Sequence, residues 1–469
     1  MTTSSPFRDS DGEQTGQNDG AVHPALAALP AALRGPRPVV VVVGLGYVGL
    51  PLCVALAETG AQVHGLDVDP ALCAALAAGR SHVGDVPDAA LAAALAAGFA
   101  PTTDQAVIGA GDAVIICVPT PLRKTKDPDI SYIVAAGQAV AAHARPGQLV
   151  VLESTTYPGT TEDLLVPMLV AKGLRPGLEV AVAFSPERVD PGNVRFGLRN
   201  TPKVVGGCTP RCAEAAAALY GRVCDAVHPV RSPAAAETVK LLENTFRMVN
   251  IGLVNEFALV CHKLGLNVWE IIEAASTKPF GFMPFRPGPG LGGHCIPVDP
   301  HYLAWKLRSL NFTTRFVELA DAVNSAMPLH VVEVLTEALN HAKKAVNGSE
   351  VLALGVAYKA NISDVRESPA LEVLELLDHK GARLRYCDPH VPAVRLASGP
   401  LQAEALSPAL LAAADVVLVL TDHADFDWDE VLQHARCVVD ARNATAGALA
   451  RQPAAAGKVW LIGGGARQS

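Results

Sequence analysis

One cysteine of ten stands in unusual company. The segment Gly288-Pro289-Gly290-Leu291-Gly292-Gly293-His294-Cys295-Ile296-Pro297-Val298-Asp299-Pro300 crowds four glycines ahead of Cys295. Glycines there let a substrate approach the backbone and leave N–H groups free to point at it. A thiol beside such donors ionises more readily and becomes a nucleophile. Asp299 follows closely enough to act as a base or to position water. A buried, inert cysteine in a glycine-rich turn is the competing reading. It suits Cys53, Cys73, Cys117, Cys208, Cys212, Cys224, Cys261, Cys387 and Cys437, none of which forms a C-x-x-C pair.

Two more sets carry chemistry. Lys240 and Asn244, in Lys240-Leu241-Leu242-Glu243-Asn244, share one helix face. A cation and an amide there could hold a developing alkoxide or oxyanion, although an exposed helix face is the commoner meaning of such a pair. Gly44-Leu45-Gly46-Tyr47-Val48-Gly49 fits G-x-G-x-x-G, and Asp67 ends the next strand. The first glycine permits a tight turn, the second a close pyrophosphate, the third close helix–strand packing. The helix N-terminus adds N–H groups and positive dipole. Asp67 would bind ribose hydroxyls and repel a 2′-phosphate, favouring NAD over NADP. A structural glycine turn without ligand is the alternative.

These residues need a scaffold. Pro38 to Val43 is a β-branched run suited to a buried parallel strand, with a helix expected from Tyr47 to Glu58. Strands follow at Gln62 to Leu66, Ala113 to Val118 and Leu149 to Leu152, and Ala-rich helices at Pro70 to Gly79 and Pro87 to Gly98. That alternation predicts a doubly wound sheet. Ala234 to Leu264 reads as one long helix, Pro279 to Pro300 as a loop and Ala320 to Ala345 as a helix. A second strand–helix series begins at Val351 to Gly355 and continues through Arg383 to Cys387 and Val416 to Leu420. The two α/β halves make a candidate structural pair.

The length of 469 residues suits two or three such units. Half the residues are apolar and 18% charged, which excludes global disorder. A net charge of −8 argues against nucleic acid as partner but not against a local pocket for an anion. The cysteine density is not that of a secreted disulfide scaffold. The polar start lacks the blocks of a signal peptide, and residues up to Arg37 read as a disordered tail. No apolar run is long enough for a membrane span, so the expected location is cytoplasmic. The histidines show no metal-ligand spacing, and Cys208 with Cys212 lacks a partner cluster, so no metal is expected. Tyr302 and Lys306 imitate a Y-x-x-x-K pair but read as a packing helix through Tyr302 and Trp305.

Taken together, the motifs resemble the UDP-glucose/GDP-mannose dehydrogenases, which oxidise the C6 hydroxyl of a nucleotide sugar to a carboxylate. The resemblance runs from Pro38 to Ala444. Besides the glycine turn, Lys240/Asn244 and the cysteine loop, it rests on Val118-Pro119-Thr120-Pro121, Glu153-Ser154-Thr155-Thr156-Tyr157-Pro158-Gly159-Thr160-Thr161, Phe184-Ser185-Pro186-Glu187-Arg188 and the run Tyr358 to Pro369. It implies an α/β fold of two Rossmann-like doubly wound domains joined by a long central helix that forms a homodimer. The implied divisions are a tail over 1–37, an NAD domain over 38–230, a central helical domain with the cysteine loop over 231–345, a nucleotide-sugar domain over 346–455 and a tail over 456–469.

The resemblance also implies roles. Cys295 would be the nucleophile, Lys240 and Asn244 the oxyanion holders, Asp299 the acid/base partner, and Thr120 with Glu187 the water organisers. NAD would rest on Gly44, Gly46, Tyr47, Val48, Gly49, Asp67, Pro119, Thr120, Thr155 and Arg366. The nucleotide-diphosphate sugar would meet Glu187, Arg188, Lys240, Asn244, Phe285, Gly292, Lys359 and Arg442. Val298 stands where many UDP-glucose enzymes have lysine, and Pro191 where relatives often have a second acid. Both departures, with the Pro279 to Phe285 segment, look closer to the subgroup acting on UDP-N-acetylhexosamines, such as UDP-N-acetylglucosamine; UDP-glucose and TDP-glucose stay open, as does a place in polysaccharide or antibiotic-sugar biosynthesis. Competing readings are a β-hydroxyacid dehydrogenase, which leaves the cysteine loop unexplained, and a catalytically silent NAD- or sugar-nucleotide-binding regulator.

Overall fold

A computed structural model describes residues 20–123, 127–190, 193, 195–293 and 295–464. Pro191 and His294, singled out above, lie outside the described residues, as do 1–19 and 465–469. The chain divides into two compact units, one of residues 1–120 and 130–238, the other of 121–129 and 239–469.

The first unit is built on β1 (Val39–Val43), β2 (Gln62–Leu66), β3 (Phe99–Thr102), β4 (Ala113–Ile116), β5 (Leu149–Leu152), β6 (Ala181–Phe184), β7 (Lys203–Gly207) and β8 (Val227–Val230). They form one sheet in the order β3-β2-β1-β4-β5-β6-β7-β8. β4, β5 and β6 are buried at every position, as short β-branched runs covered on both faces must be. The strand order reverses between β1 and β4, and the carboxyl ends of these two strands flank the place where doubly wound sheets bind ligands. The pairing is parallel except between β6 and β7, which run antiparallel with Ala183 opposite Gly207 and Phe184 opposite Gly206.

Residues 20–37 depart from the expected tail. Pro24–Arg34 is a helix whose Leu26, Leu29 and Leu33 are buried in the core of this unit. It packs on the helix Pro210–Tyr220, and the Arg222 guanidinium donates to the carbonyls of Leu33 (3.0 Å) and Gly35 (2.6 Å). The leucine spacing makes an apolar stripe, which the polar run before it obscures in the sequence.

The helix Pro233–Leu264 begins in the first unit and continues in the second. The second unit also holds helices Val268–Ser276, Asp299–Arg308 and Arg315–His341. Its strands are β9 (Glu350–Leu354), β10 (Arg383–Cys387), β11 (Ala393–Leu396), β12 (Gly399–Gln402), β13 (Val416–Val419), β14 (Val438–Asp440) and β15 (Val459–Leu461). The parallel sheet runs β10-β9-β13-β14-β15, and β11 and β12 form a separate antiparallel ladder. β15 lies beyond the expected domain end at 455. It pairs with β14, and the Ile462 carbonyl accepts the Trp269 indole N–H at 3.0 Å, so this stretch is part of the fold and not a tail. A short segment passes for a tail in sequence because one edge strand needs only three ordered residues.

The halves are a structural pair. Gly44 (φ 93°) donates to the Leu66 carbonyl, and Gly355 (φ 79°) to that of Cys387, each at the turn leaving a first strand. Leu45 N–H donates to Asp67 Oδ2 at 2.9 Å, and Val356 N–H to Asp388 Oδ2 at 2.7 Å.

Candidate active site

In the first unit the glycine turn meets each steric demand of a dinucleotide cradle. A Cβ on Gly49 would lie 1.9 Å from the Gly44 carbonyl oxygen, and one on Gly44 would lie 2.7 Å from that of Cys117. A Cβ on Gly46 would meet nothing within 4 Å, so the space above it is open to a ligand. Val48 precedes the helix Gly49–Glu58, and Tyr47 is exposed beside it. Asp67 keeps partial exposure, with one oxygen on Leu45 N–H and the other on Asp69 N–H. Its counterpart Asp388 is buried and accepts the N–H groups of Val356, Ala357, His390 and Val391, with His423 at 3.1 Å. The second turn is therefore closed by its own side chains, whereas Asp67 of the first, with one N–H on each oxygen, keeps solvent access.

The same sheet edge gathers the other first-unit residues. Pro119 and buried Thr120 follow β4; Thr155 follows β5; Glu187 and Arg188 follow β6. Ser154 Oγ donates to the Val118 carbonyl at 2.8 Å, tying the first two loops together. The Ser154-to-Thr161 loop is pinned by buried Glu237, which accepts from Gly159 N–H (2.5 Å), Thr161 N–H (2.9 Å) and Thr161 Oγ1 (2.7 Å). Glu187 Oε1 takes the N–H groups of Arg188 (3.0 Å) and Val189 (2.7 Å). Its Oε2 takes Lys203 Nζ at 2.9 Å, and that cation and the hydrogen bonds hold the carboxyl at about 2 against the upward push of burial. Lys203 was not among the expected residues.

In the second unit the long helix and the cysteine loop converge. Asn244 Nδ2 donates to Asp299 Oδ2 at 2.6 Å, and Lys240 Nζ stands 3.9 Å from the same oxygen. All three residues are buried. Asp299 opens the helix Asp299–Arg308, its N–H on the Cys295 carbonyl at 2.8 Å. Burial lifts its carboxyl to about 6, while Lys240 and Asn244 pull the other way. Cys295 is the one exposed cysteine of the ten.

Two expectations about this loop change. Although Cys295 has solvent access, the protein packed about its sulfur raises the thiol above its usual range, with Lys240 opposing and Asp299 reinforcing. The resting group is a thiol, not an easily ionised one, because desolvation outweighs the nearby cations. The glycines are also not simply space for substrate. A Cβ on Gly292 would lie 2.6 Å from Tyr358 Cβ, one on Gly293 2.8 Å from the Tyr358 ring, and one on Gly288 2.7 Å from the Arg442 guanidinium. The loop thus packs on Tyr358 and Arg442. Arg442 Nε is held by the Leu420 carbonyl at 2.9 Å. Lys359 follows Tyr358 and is half-buried. Arg366 is exposed, bonded to Asp364 at 2.6 to 3.0 Å, and its carbonyl accepts Gly293 N–H. It belongs to the second unit, beside the cysteine loop. Phe285 stacks edge-on to Phe246 at 5.7 Å.

A cavity of about 550 Å³ opens beside the cysteine loop, lined by Gly290, Leu291, Val298, Asn324 and Pro369. Among the described residues no group of three His, Cys, Asp or Glu side chains is placed to hold a metal ion, and no helix is long and apolar enough to cross a membrane.

Three family profiles cover most of the chain in order. The NAD-binding domain of the UDP-glucose/GDP-mannose dehydrogenase family matches 39–224, its central domain 234–326 and its UDP-binding domain 352–447. The chain belongs to this family. It is an NAD-dependent oxidoreductase acting on the CH–OH group of a nucleotide sugar. An NDP-N-acetyl-D-galactosaminuronic acid dehydrogenase of Ralstonia nicotianae is 37% identical over 86% of this chain and 95% of its own length. The solved UDP-D-ManNAc dehydrogenase of Pyrococcus horikoshii matches with TM-score 0.80 at 33% identity, over 91% of this chain and 99% of that one. A UDP-glucose dehydrogenase structure from Pyrobaculum islandicum matches with TM-score 0.78 at 31% identity, over 88% of this chain and 97% of that one.

Proposed function

We propose that the protein oxidises C6 of a UDP-N-acetylhexosamine to the carboxylate, in two steps through a covalent adduct on Cys295. The observation that carries this is the Lys240–Asn244–Asp299 cluster beside the only exposed cysteine. A single alcohol oxidation needs no cysteine; a reactive aldehyde held for a second oxidation does. The hexosamine assignment is supported by the sequence departures at Pro191 and Val298 and by relatives named for N-acetylhexosamine derivatives.

NAD, carried on the Gly44–Gly49 turn and Asp67, supplies the hydride acceptor for both oxidations. Asp299 takes the alcohol proton through water, and Lys240 with Asn244 steadies the oxygen as charge develops. The Cys295 sulfur adds to the aldehyde carbon, giving a thiohemiacetal. Loss of a second hydride and a proton leaves a thioester. Water oriented by Thr120 and Glu187 then forms the new C–O bond as the C–S bond breaks. Sulfur regains a proton, and the acid ionises to solvent. One CH₂OH and one water give one carboxylate, two hydrides transferred and three protons.

The exposed residues Leu242, Phe246, Leu253, Phe257, Val260 and Leu264 line one face of the long helix. We propose that this stripe seals a homodimer, because an apolar face of that extent is costly in water.

The test is an NADH assay over UDP-N-acetylglucosamine, UDP-N-acetylgalactosamine, UDP-N-acetylmannosamine, UDP-glucose, TDP-glucose and GDP-mannose. Two NADH per sugar, with an N-acetylhexosamine preferred, is the expected result. One NADH, or none with any sugar, defeats the mechanism; preference for UDP-glucose defeats the substrate assignment. Cys295→Ala is expected to abolish acid formation while still binding NAD.

A further inference from the structure

A row of buried ionisable groups runs from the core of the first unit to Glu187. Lys203 is only 3% exposed, yet its ammonium faces two carboxylates. It bonds Glu153 Oε1 on one side and Glu187 Oε2, at 2.9 Å, on the other. The second oxygen of Glu153 accepts the hydroxyl of fully buried Tyr220 at 2.6 Å. Lys203 spends one N–H donor on each carboxylate, and Glu187, the more acidic of the two, is the one that balances its charge. A buried charge costs several kcal/mol before its partners offset it, so the pairing of Lys203 with Glu187 fixes both groups.

The backbone supplies the geometry. β7 runs antiparallel to β6, and the register of Phe184 against Gly206, extended by three residues, sets Lys203 opposite Glu187. Ser185 Oγ donates to the Val204 carbonyl at 2.8 Å and holds the two segments together past the last paired residues. Glu187 is thus fixed at four points, two backbone N–H groups on Oε1, the ammonium on Oε2, and its own chain. Oε2 keeps a lone pair for one more donor.

We propose that Lys203 is a positioning residue for Glu187, fixing the orientation and the negative charge with which that carboxylate accepts a hydrogen bond from the water that cleaves the Cys295 thioester. This rests on the role of Glu187 given above. In that role Glu187 orients the water and does not keep its proton, since its carboxyl sits near 2. Glu153, lifted by burial to about 7, and the Tyr220 hydroxyl bonded to it hold the ammonium in place from its other side.

The experiment uses the full chain with NAD and its best nucleotide sugar, mixed rapidly and quenched. Lys203→Met is expected to keep the KM for NAD and the early burst of NADH. Steady-state turnover should fall roughly 100-fold, the lower end of what a positioned proton-handling group contributes. An acyl adduct on Cys295 should accumulate in the intact mass, and Lys203→Arg should recover part of the rate. Wild-type hydrolysis in Lys203→Met, or a slow rate with no adduct, overturns the proposal, as does loss of NAD binding together with the burst. Should Lys203→Met fail to fold, Lys203→Gln carries the same test without the charge. Glu187→Gln separates the two claims. If it hydrolyses at the wild-type rate, the reading of Glu187 itself fails; if it is slow while Lys203→Met is not, only the role of Lys203 falls.

Discussion

In the proposed mechanism Asp299 is the residue whose protonation the chemistry feels most directly. Its carboxyl sits near 6 because burial raises it further than Lys240 and Asn244 lower it. A base must be ionised to work, so kcat/KM is expected to fall as pH drops through about 6. Asp299→Asn should lower the plateau and remove that acid limb; a variant that keeps the limb would assign it to another group. Cys295 acts in the same direction and at higher pH, since its raised thiol reacts faster as pH increases. The grouping of Lys240 and Asn244 with Asp299 was foreshadowed by the cysteine loop and the Lys/Asn pair. Their protonation was not, because desolvation depends on what packs around a side chain. The notion of an easily ionised Cys295 came from its glycine neighbours, and the packing about the sulfur reverses it.

At the scale of elements, the glycine turn separates two roles that the motif alone blends. Gly49 has no room for a side chain, since its Cβ would strike the Gly44 carbonyl; Gly46 has room to spare. Gly49→Ala is therefore expected to lower stability by at least the 1–3 kcal/mol typical of overpacking, read as a drop in Tm. Gly46→Ala should leave Tm near wild type and weaken NAD binding at least tenfold, measured by titration. Equal effects in both assays for both variants would undo the distinction. Strand and helix periods were readable because a continuous β-branched run buried on both faces has few alternatives. The N-terminal helix was missed since its three buried leucines follow a long polar run, and composition averages the two. β15 was missed because three residues carry too little pattern.

For the whole molecule, the exposed apolar stripe of the long helix predicts self-association. Phe257, half exposed at 49%, lies well inside that stripe. Phe257→Glu would place a charge in a dry interface, and sedimentation is expected to report a monomer where the unaltered chain is dimeric. A monomeric unaltered chain would dispose of the dimer. The ordered motifs by themselves determined two α/β halves, the long helix, the glycine turn and the cysteine loop, because each rests on local spacing that one segment carries. Tertiary structure alone decided which turn stays open, since packing buries Asp388 against four backbone N–H groups and His423 while Asp67, with two N–H groups, keeps exposure. It also decided the partner of Glu187. Lys203 reaches it through a reversed strand, and no local spacing around either residue encodes a pairing that exists only once β6 and β7 lie side by side.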